Sequence, residues 1–318
     1  MRAAVYRRNG GPEVFELVDL PSPDPGPGEV LVDVAAISIE GGDILARRNT
    51  APGDPPRVKG YAAAGRIAAL GARVTGWAIG DAVTTFAFEG SHAERRVVPA
   101  THCWRVPDGV GMEVAAAAVI TFGTAALALR LAGFASGQEV LVTGAAGGVG
   151  IATIQLVARG GGRAIGTGSN PAALAALTPF GLDTAIDLGA GPFDAQLRAL
   201  GSAGVDSVID NVGGHSVSAG LAALRDGGAL VLVGLLDRDV QRINPVTLLL
   251  RRLTVTGCFL GPIIAEPANR AAIDGILQGL ADGSLVMPID RTYPLAEVVA
   301  AHTRAEERGR MGRVVLLT

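Results

Sequence analysis

One short turn constrains this chain more than anything else in it. Gly144-Ala-Ala-Gly-Gly-Val-Gly150 follows the apolar run Glu139-Val-Leu-Val-Thr143 directly and opens the segment Ile151-Ala-Thr-Ile-Gln-Leu-Val-Ala-Arg159. In that segment Ile151, Ile154 and the Val157/Ala158 pair recur at helical spacing, and Gly160-Gly-Gly162 stops it. Strand, glycine turn and helix in this order make a cradle for a pair of phosphates. Backbone N–H groups must approach the ligand closely, and the helix N-terminus adds partial positive charge. Gly147 and Gly150 are expected to supply the close approach and the tight helix–strand packing, while Ala145 stands where the first glycine of G-x-G-x-x-G usually is. A dinucleotide is the expected ligand, held by Gly144, Ala145, Ala146, Gly147, Gly148, Val149 and Gly150.

The text around the turn supports this. Ala164-Ile-Gly-Thr167, Thr184-Ala-Ile-Asp187, Val205-Asp-Ser-Val-Ile-Asp210 and Ala229-Leu-Val-Leu-Val-Gly234 read as buried strands separated by helical segments. Such alternation marks a parallel sheet with helices on both faces, an α/β fold. The first third of the chain is different. Ala3-Ala-Val-Tyr6, Glu29-Val-Leu-Val-Asp-Val34, Gly65-Arg-Ile-Ala-Ala69, Asp81-Ala-Val-Thr84 and Ala93-Glu-Arg-Arg-Val-Val98 are short strand-like runs. Turns at Pro21-Ser-Pro-Asp-Pro-Gly-Pro-Gly28, Pro52-Gly-Asp-Pro-Pro56 and Val106-Pro-Asp-Gly109 separate them, which predicts a β-rich domain. After Cys258 a final helix is expected to carry Ile273, Ile276, Leu277 and Leu280 on one face, with Gly312-Arg-Val-Val-Leu-Leu317 as the closing strand.

Composition removes several classes of function. The 318 residues are 49% hydrophobic and 18% charged, as in a folded chain with a large core. Net charge is −3, and the arginines come as isolated pairs such as Arg7-Arg8 and Arg251-Arg252, so no nucleic-acid footprint is expected. Cys103 and Cys258 are too few for a disulfide framework or a cysteine-based zinc finger and read as free buried thiols. The most membrane-like stretch, Val114 to Leu129, is shorter than the about 20 apolar residues of a spanning helix. No signal-peptide pattern opens the chain, and a cytoplasmic protein with no membrane partner is the expectation.

The strand after the glycine turn should end in the residue that reads the adenosine ribose, an acid there favouring NAD. Here it ends Gly166-Thr-Gly-Ser-Asn170. With no acid, and with Ser169 and Asn170 able to hydrogen-bond a 2′-phosphate, NADPH is favoured over NADH.

Five strings, taken in order along the chain, resemble the quinone oxidoreductase branch of the medium-chain dehydrogenase/reductases. They are Asn9-Gly-Gly-Pro-Glu-Val14, Gly28-Glu-Val-Leu-Val32, Val142-Thr-Gly-Ala-Ala-Gly-Gly-Val-Gly150, Asp210-Asn-Val-Gly-Gly214 and Gly312-Arg-Val-Val-Leu316. The resemblance implies a GroES-like catalytic domain from both chain ends (residues 1–115 and 262–318), a Rossmann domain between them (116–261) and a cofactor in the cleft. It also implies a homodimer, commonly formed through the Rossmann-domain edge. Thr121 and Thr124 match a helix start beside the nicotinamide. Asn211, Val212, Gly234, Leu235, Cys258, Phe259 and Leu260 match loops that hold the ribose and carboxamide.

The zinc-dependent members of the superfamily place Cys, His and Cys on a catalytic metal. Those positions align here with Glu40, with Tyr61 and with no cysteine around Val119-Ile-Thr-Phe122. The acidic residue after the His position is Ala62, the alcohol-proton relay position is Gly42, and the four-cysteine structural lobe is missing. One oxygen ligand does not hold Zn²⁺, which wants three protein ligands and an open position, so no metal is expected. Hydride delivery without a metal needs positioning and hydrogen bonds to the oxygen that gains charge, which suits quinones and α,β-unsaturated carbonyls. Tyr61 is the candidate proton donor. Glu40 is the second catalytic candidate, as ribose ligand, proton relay or loop buttress, with Ser38 and Asp43 as loop-capping residues. His92 and Phe88 are expected to line the substrate pocket, formed by loops around residues 40–61, 86–92 and 236–265. His102, His215 and His302 show no partner pattern. Two other functions compete: an enoyl reductase acting on a CoA- or carrier-bound intermediate, and a dinucleotide-binding protein without catalysis.

Overall fold

The computed structural model describes residues 1–53, 56–191, 193–199, 204–235, 239, 242–307 and 309–318. Asp54 and Pro55 of the Pro52–Pro56 turn, and residues 236–238, 240 and 241 of the third expected pocket loop, lie outside the described residues.

The chain runs through β1 (Arg2–Tyr6), β2 (Phe15–Asp19), β3 (Glu29–Ser38), α1 (Gly41–Asn49), β4 (Ala62–Leu70), β5 (Ala82–Phe86), β6 (Arg95–Pro99) and β7 (Cys103–Arg105) into α2 (Met112–Leu131). Next come β8 (Glu139–Val142), α3 (Gly148–Arg159), β9 (Arg163–Gly168), α4 (Pro171–Ala175), β10 (Leu182–Asp187), α5 (Phe193–Ala199) and β11 (Val205–Asp210). Then follow α6 (His215–Ala223), β12 (Leu224–Leu232), α7 (Pro245–Arg251) and β13 (Thr254–Gly257). The last elements are α8 (Pro267–Ala281), β14 (Ile289–Pro294), α9 (Val298–Glu306) and β15 (Arg313–Leu317). Two compact units result. One holds Met1–Gly123, Gly261–Arg308 and Gly312–Thr318; the other holds Thr124–Leu260 with Gly309–Met311.

In the first unit β3 is the hub. It pairs antiparallel with β4, β6 and the closing strand β15, so that Leu316 from the chain's end lies opposite Ile37. The sheet runs β14-β15-β3-β4-β5-β7, with β6 also on β3. Its register shifts between Val34 and Ala36, and there Gly65 is required: a Cβ on it would sit 1.9 Å from the carbonyl oxygen of Asp33. Alanine does the packing that aromatics do elsewhere. Ala36, Ala64, Ala115, Ala116 and Val315 form one buried cluster, in which small side chains let α2 come close to the sheet.

In the second unit six strands, all parallel, run in the order β10-β9-β8-β11-β12-β13. Numbered from β8, this is 3-2-1-4-5-6, the doubly wound order with its switch point between the first and fourth strands. Helices on both faces explain why Val140, Leu141 and Val142 are consecutive and all fully buried, where a sheet with one face to solvent would alternate. Each such side chain stabilises the fold by about 1.5–3 kcal/mol relative to exposure.

Several expectations change. The helix after Cys258 is not the last, because α9 follows it. Strands β2, β7, β13 and β14 were not visible beforehand: each is short or carries charge and proline, and β14, ending at Pro294, pairs only with β15 at an edge. The apolar stretch around Val114 is longer than expected. As α2 it runs 20 residues, and by length and composition it could cross a membrane. Its apolar window is, however, 72% buried inside the protein, as in a core helix. The expected domain boundary near residue 115 falls inside this helix, and the division lies between Gly123 and Thr124.

Candidate active site

The second unit builds its site from backbone. Gly144 leaves β8 with φ +60°, a left-handed conformation that favours glycine, and it comes up against Val212 and Asn211 at the end of β11. Gly147 is the N-cap of α3 and makes no side-chain capping bond, so the first helical N–H groups keep their orphan donors. Gly150 has no room for a side chain: a Cβ would stand 2.5 Å from the carbonyl oxygen of Ala145 and 2.6 Å from that of Gly144. Ala145 is fully buried and donates its N–H to Thr167 O at 3.0 Å, which ties the turn to β9. A Cβ on Gly166 would meet the methyl of Ala145 at 2.8 Å, so glycine on β9 admits the alanine that stands in the turn.

Behind the switch point lies a buried carboxylate that sequence reasoning missed. Asp210, fully buried at the end of β11, accepts from Thr143 Oγ1 (2.5 Å), Ser216 Oγ (2.6 Å) and the N–H groups of Val212 and Gly213. Asn211 in turn bonds Thr143 through its N–H and through Nδ2. These bonds fix the two strand ends side by side. Asn211 Oδ1 is buried without a partner, an acceptor that fits an amide donor on a bound cofactor. Val233 and Gly234 donate to Asp210 O, and a Cβ on Gly234 would lie 1.9 Å from Asn211 O. A signal for Asp210 existed: an acid closing an apolar strand, just before a glycine pair.

The other expected cofactor residues fall as follows. Leu235 and Phe259 are exposed, while Cys258 and Leu260 are buried; Cys258 Sγ points to Thr124 O at 3.7 Å, and burial pushes its thiol up to about 11. Thr121 and Thr124 are not at a helix start. They lie in mid-α2, which is continuous, and the Thr121 hydroxyl is satisfied by Ala117 O and Ala118 O. Asn170 caps α4, accepting from Ala172 N and Ala173 N, and its Nδ2 donates to Gly309 O at 3.1 Å. That bond brings Gly309–Met311, with Arg310, to the end of β9. Ser169 is exposed.

The first unit builds its site from side chains. Tyr61 follows Gly60, whose φ is +104°. Its ring lies over Gly42, where a Cβ would come within 2.2 Å of Cε2. Phe86 and Phe88 meet it edge-on at 6.1 and 5.9 Å, and Phe88 is exposed. Arg96, almost fully buried, donates to the Tyr61 carbonyl at 2.9 Å. Burial first, then the carboxylates of Asp43 and Glu89, raise the phenol above its ordinary range, so it carries its proton at neutral pH.

Glu40 is not presented as a free acid or base. Ser38 Oγ donates to Oε1 at 2.7 Å, and Arg313 stands 2.7 Å from Oε2 while also donating to Ile39 O. Its own N–H goes to Asp43 Oδ2 at 2.8 Å, and Asp43 Oδ1 is buried unpartnered. Burial, with Glu40 nearby, pushes the Asp43 carboxyl up to about 7. His92 is a correction too. Expected in the substrate pocket, it is 1% exposed and bonded to Ser91 and His302, because the strand bridge Ala3–Ala93 turns the segment inward. His302, without a visible partner in sequence, thus has two: His92 and Arg47.

Among the described residues no group of three or more His, Cys, Asp and Glu is placed to hold an ion. No three-ligand set among the described residues fits the zinc that one family description carries.

Residues 26–108 match the family described as alcohol dehydrogenase GroES-like domain, and residues 180–316 match that described as zinc-binding dehydrogenase. The chain is 31% identical to quinone oxidoreductase of Rattus norvegicus, covering all of this chain and 98% of that one. It is 32% identical to a mycocerosic acid synthase-like polyketide synthase of Mycobacterium tuberculosis over 93% of this chain but only 14% of that one. The structure of Escherichia coli quinone oxidoreductase complexed with NADPH superposes over the full length of both chains with a TM-score of 0.94 at 25% identity. With a GroES-like sheet, a Rossmann sheet and this similarity end to end, the chain belongs to the quinone oxidoreductase-like medium-chain dehydrogenase/reductases and is an NAD(P)H-dependent oxidoreductase.

Proposed function

We propose that the protein is an NADPH-dependent, metal-independent reductase of quinones or α,β-unsaturated carbonyls, acting in the cytoplasm as a homodimer. The observation that carries the reading is the glycine turn between β8 and α3 at the switch point, beside the unpartnered Asn211 Oδ1. Gly144 to Gly150 hold the pyrophosphate on backbone N–H groups. Asn211, Val212, Gly234, Leu235 and Cys258 to Leu260 line the nicotinamide side, with Thr124 behind Cys258. Ser169, Asn170 and Arg310 serve the 2′-phosphate, a cation being the partner that the sequence around Asn170 lacked. When bound, NADPH supplies the hydride.

The chain's own residues do the rest. Tyr61, protonated at neutral pH, donates its hydrogen bond to the acceptor oxygen as that oxygen gains charge. Phe88 and the edge of Phe86 offer a flat apolar wall to a planar acceptor. Glu40 buttresses the loop through Ser38, Arg313 and Asp43. Dimerisation uses the free edge at β13 and the neighbouring helix α7, which exposes Val246, Leu249 and Leu250.

The test is NADPH oxidation, followed by absorbance after chelator treatment, against a panel of quinones and enones, with NADH in parallel. Turnover that survives chelation and prefers NADPH supports the reading; turnover restored only by zinc ends it. The similarity to a segment of a polyketide synthase favours, as a second reading, an enoyl reductase on a CoA- or carrier-bound intermediate. Enoyl-CoA thioesters in the same panel decide between the two. A protein that binds dinucleotide but turns over no acceptor would be the non-catalytic alternative.

A further inference from the structure

Two buried histidines that the proposed reaction leaves unused tie the C-terminal helix to the turn that carries Tyr61. His302, on α9, is fully buried, and its Nδ1 lies 2.8 Å from Nη1 of the equally buried Arg47. A guanidinium has donors and no acceptor, so Nδ1 accepts and the His302 proton sits on Nε2. That Nε2 lies 2.9 Å from Nε2 of His92. One proton serves this contact, so His92 accepts there and carries its own proton on Nδ1, 3.0 Å from Ser91 Oγ. The hydrogen bonds therefore run one way, Arg47 to His302 to His92 to Ser91, with both rings neutral. Burial holds both imidazoles below their ordinary range; Arg96 and Arg47 add to this at His92, and His92 and Arg47 at His302. Phe15 closes over the pair, stacked on His92 at 5.9 Å and tilted on His302 at 4.5 Å. At the far end Arg47 is anchored by Glu306 and by Gly10 O.

The near end presses on the Tyr61 turn. A Cβ on Gly60 would lie 2.0 Å from both His92 Nδ1 and Ser91 Oγ. Ser91 N–H donates to Gly60 O at 3.2 Å, and His92 N–H donates to Lys59 O at 3.0 Å. The last two members of the relay thus stand on the backbone immediately before Tyr61.

We infer that His302 is a positioning residue for Tyr61: the directed relay from α9 sets where the 59–61 turn stands and hence where the phenol points. The inference rests on Tyr61 being the proton donor, and its test separates the two. The full-length protein, with 3-fluorotyrosine at its three tyrosines, gives ¹⁹F resonances of which Tyr61→Phe identifies one. His302→Leu cannot accept from Arg47 or donate to His92, whereas His302→Gln can do both. The expected result is a displaced Tyr61 resonance and a kcat for NADPH and 1,4-naphthoquinone lowered by about 10²-fold in His302→Leu, at unchanged KM for NADPH. His302→Gln restores both. An unmoved Tyr61 resonance in His302→Leu, or equal displacement in His302→Gln, overturns the inference. Should His302→Leu fail to fold, Ser91→Ala removes only the terminal oxygen, and a Tyr61 resonance unmoved there overturns it too. A Tyr61→Phe protein with undiminished kcat would instead remove the donor role and leave the ¹⁹F readout to judge the positioning.

Discussion

The two candidate regions of this protein are made of different material. At the switch point of the parallel sheet, the turn from Gly144 to Gly150 is a backbone surface, shaped by the absence of side chains and tied back to β9 by one amide of Ala145. Around Tyr61, the reverse holds. Buried charged and polar groups from distant parts of the chain lock the loop: Arg313 to Glu40, Arg96 to the Tyr61 carbonyl, Arg47 through two histidines to Ser91. A backbone site fails when an atom is added; a side-chain site fails when one is taken away.

The largest effect expected from this contrast is in the side-chain region. Arg313→Met strips the buried Glu40 carboxylate of its cation, and breaking such a pair costs about 3–5 kcal/mol. Denaturant unfolding should show that loss, while NADPH still binds to whatever fraction is folded at the assay temperature. Loss of NADPH affinity in the folded fraction would mean that the two regions are not independent.

Next comes the opposite operation. Gly150→Ala adds one methyl against two carbonyl oxygens that are backbone and cannot turn away. We expect NADPH affinity to fall by about 10²-fold, equivalent to about 2.7 kcal/mol, alongside about 1–3 kcal/mol of overpacking strain. Titration of cofactor fluorescence checks it, and an unaltered dissociation constant would sink the cradle.

A pH measurement sharpens the side-chain half. Asp43 keeps its proton to about pH 7 in the fold against 3.8 ordinarily, so its stabilisation is complete below 3.8 and lost as pH rises through 7. His92 works the other way. Its pKa, lowered from 6.5 to about 3, gives stability that is present above 6.5 and lost as pH falls toward 3. Between about pH 4 and 6.5 the two slopes oppose each other. Asp43→Asn removes one, so unfolding free energy should climb with pH more steeply by about 1.4 kcal/mol per pH unit. An unchanged slope would show that Asp43 is ionised in the fold.

The smallest effect concerns Asn170, one of the two side chains in the backbone region that bear on cofactor preference. Asn170→Asp keeps the acceptor that caps α4, so stability should change by less than the about 1 kcal/mol a lost cap costs. Its new charge should raise the KM for NADPH about tenfold, roughly 1.4 kcal/mol, and leave that for NADH alone. Equal effects on both cofactors would take Asn170 out of 2′-phosphate recognition.

Much of the second unit was legible in advance because its determinants are local. A glycine at a left-handed φ, a strand before it and a helix after it all lie within about twenty residues, and parallel strands buried on both faces announce themselves as apolar runs. What stayed hidden there was Asp210, whose role is defined by Thr143 and Ser216 across the strand end. In the first unit Tyr61 and Glu40 were both named as candidates, but the partner of Glu40 was not foreseen and His92, placed at the pocket, is buried. Both gaps have one cause: the partners, Arg313 and His302, stand more than two hundred positions away.

By itself the sequence determined the kind of sheet each region of the chain forms and the glycine turn, and it carried a family resemblance that the comparisons then showed. The first two are written in spacing and residue type. Only the tertiary structure decided which buried charges meet, which way the histidine hydrogen bonds run and which groups hold the Glu40 side chain. Ion pairs and hydrogen bonds act over a few ångströms, and no local pattern records which distant residue the fold will bring within that range.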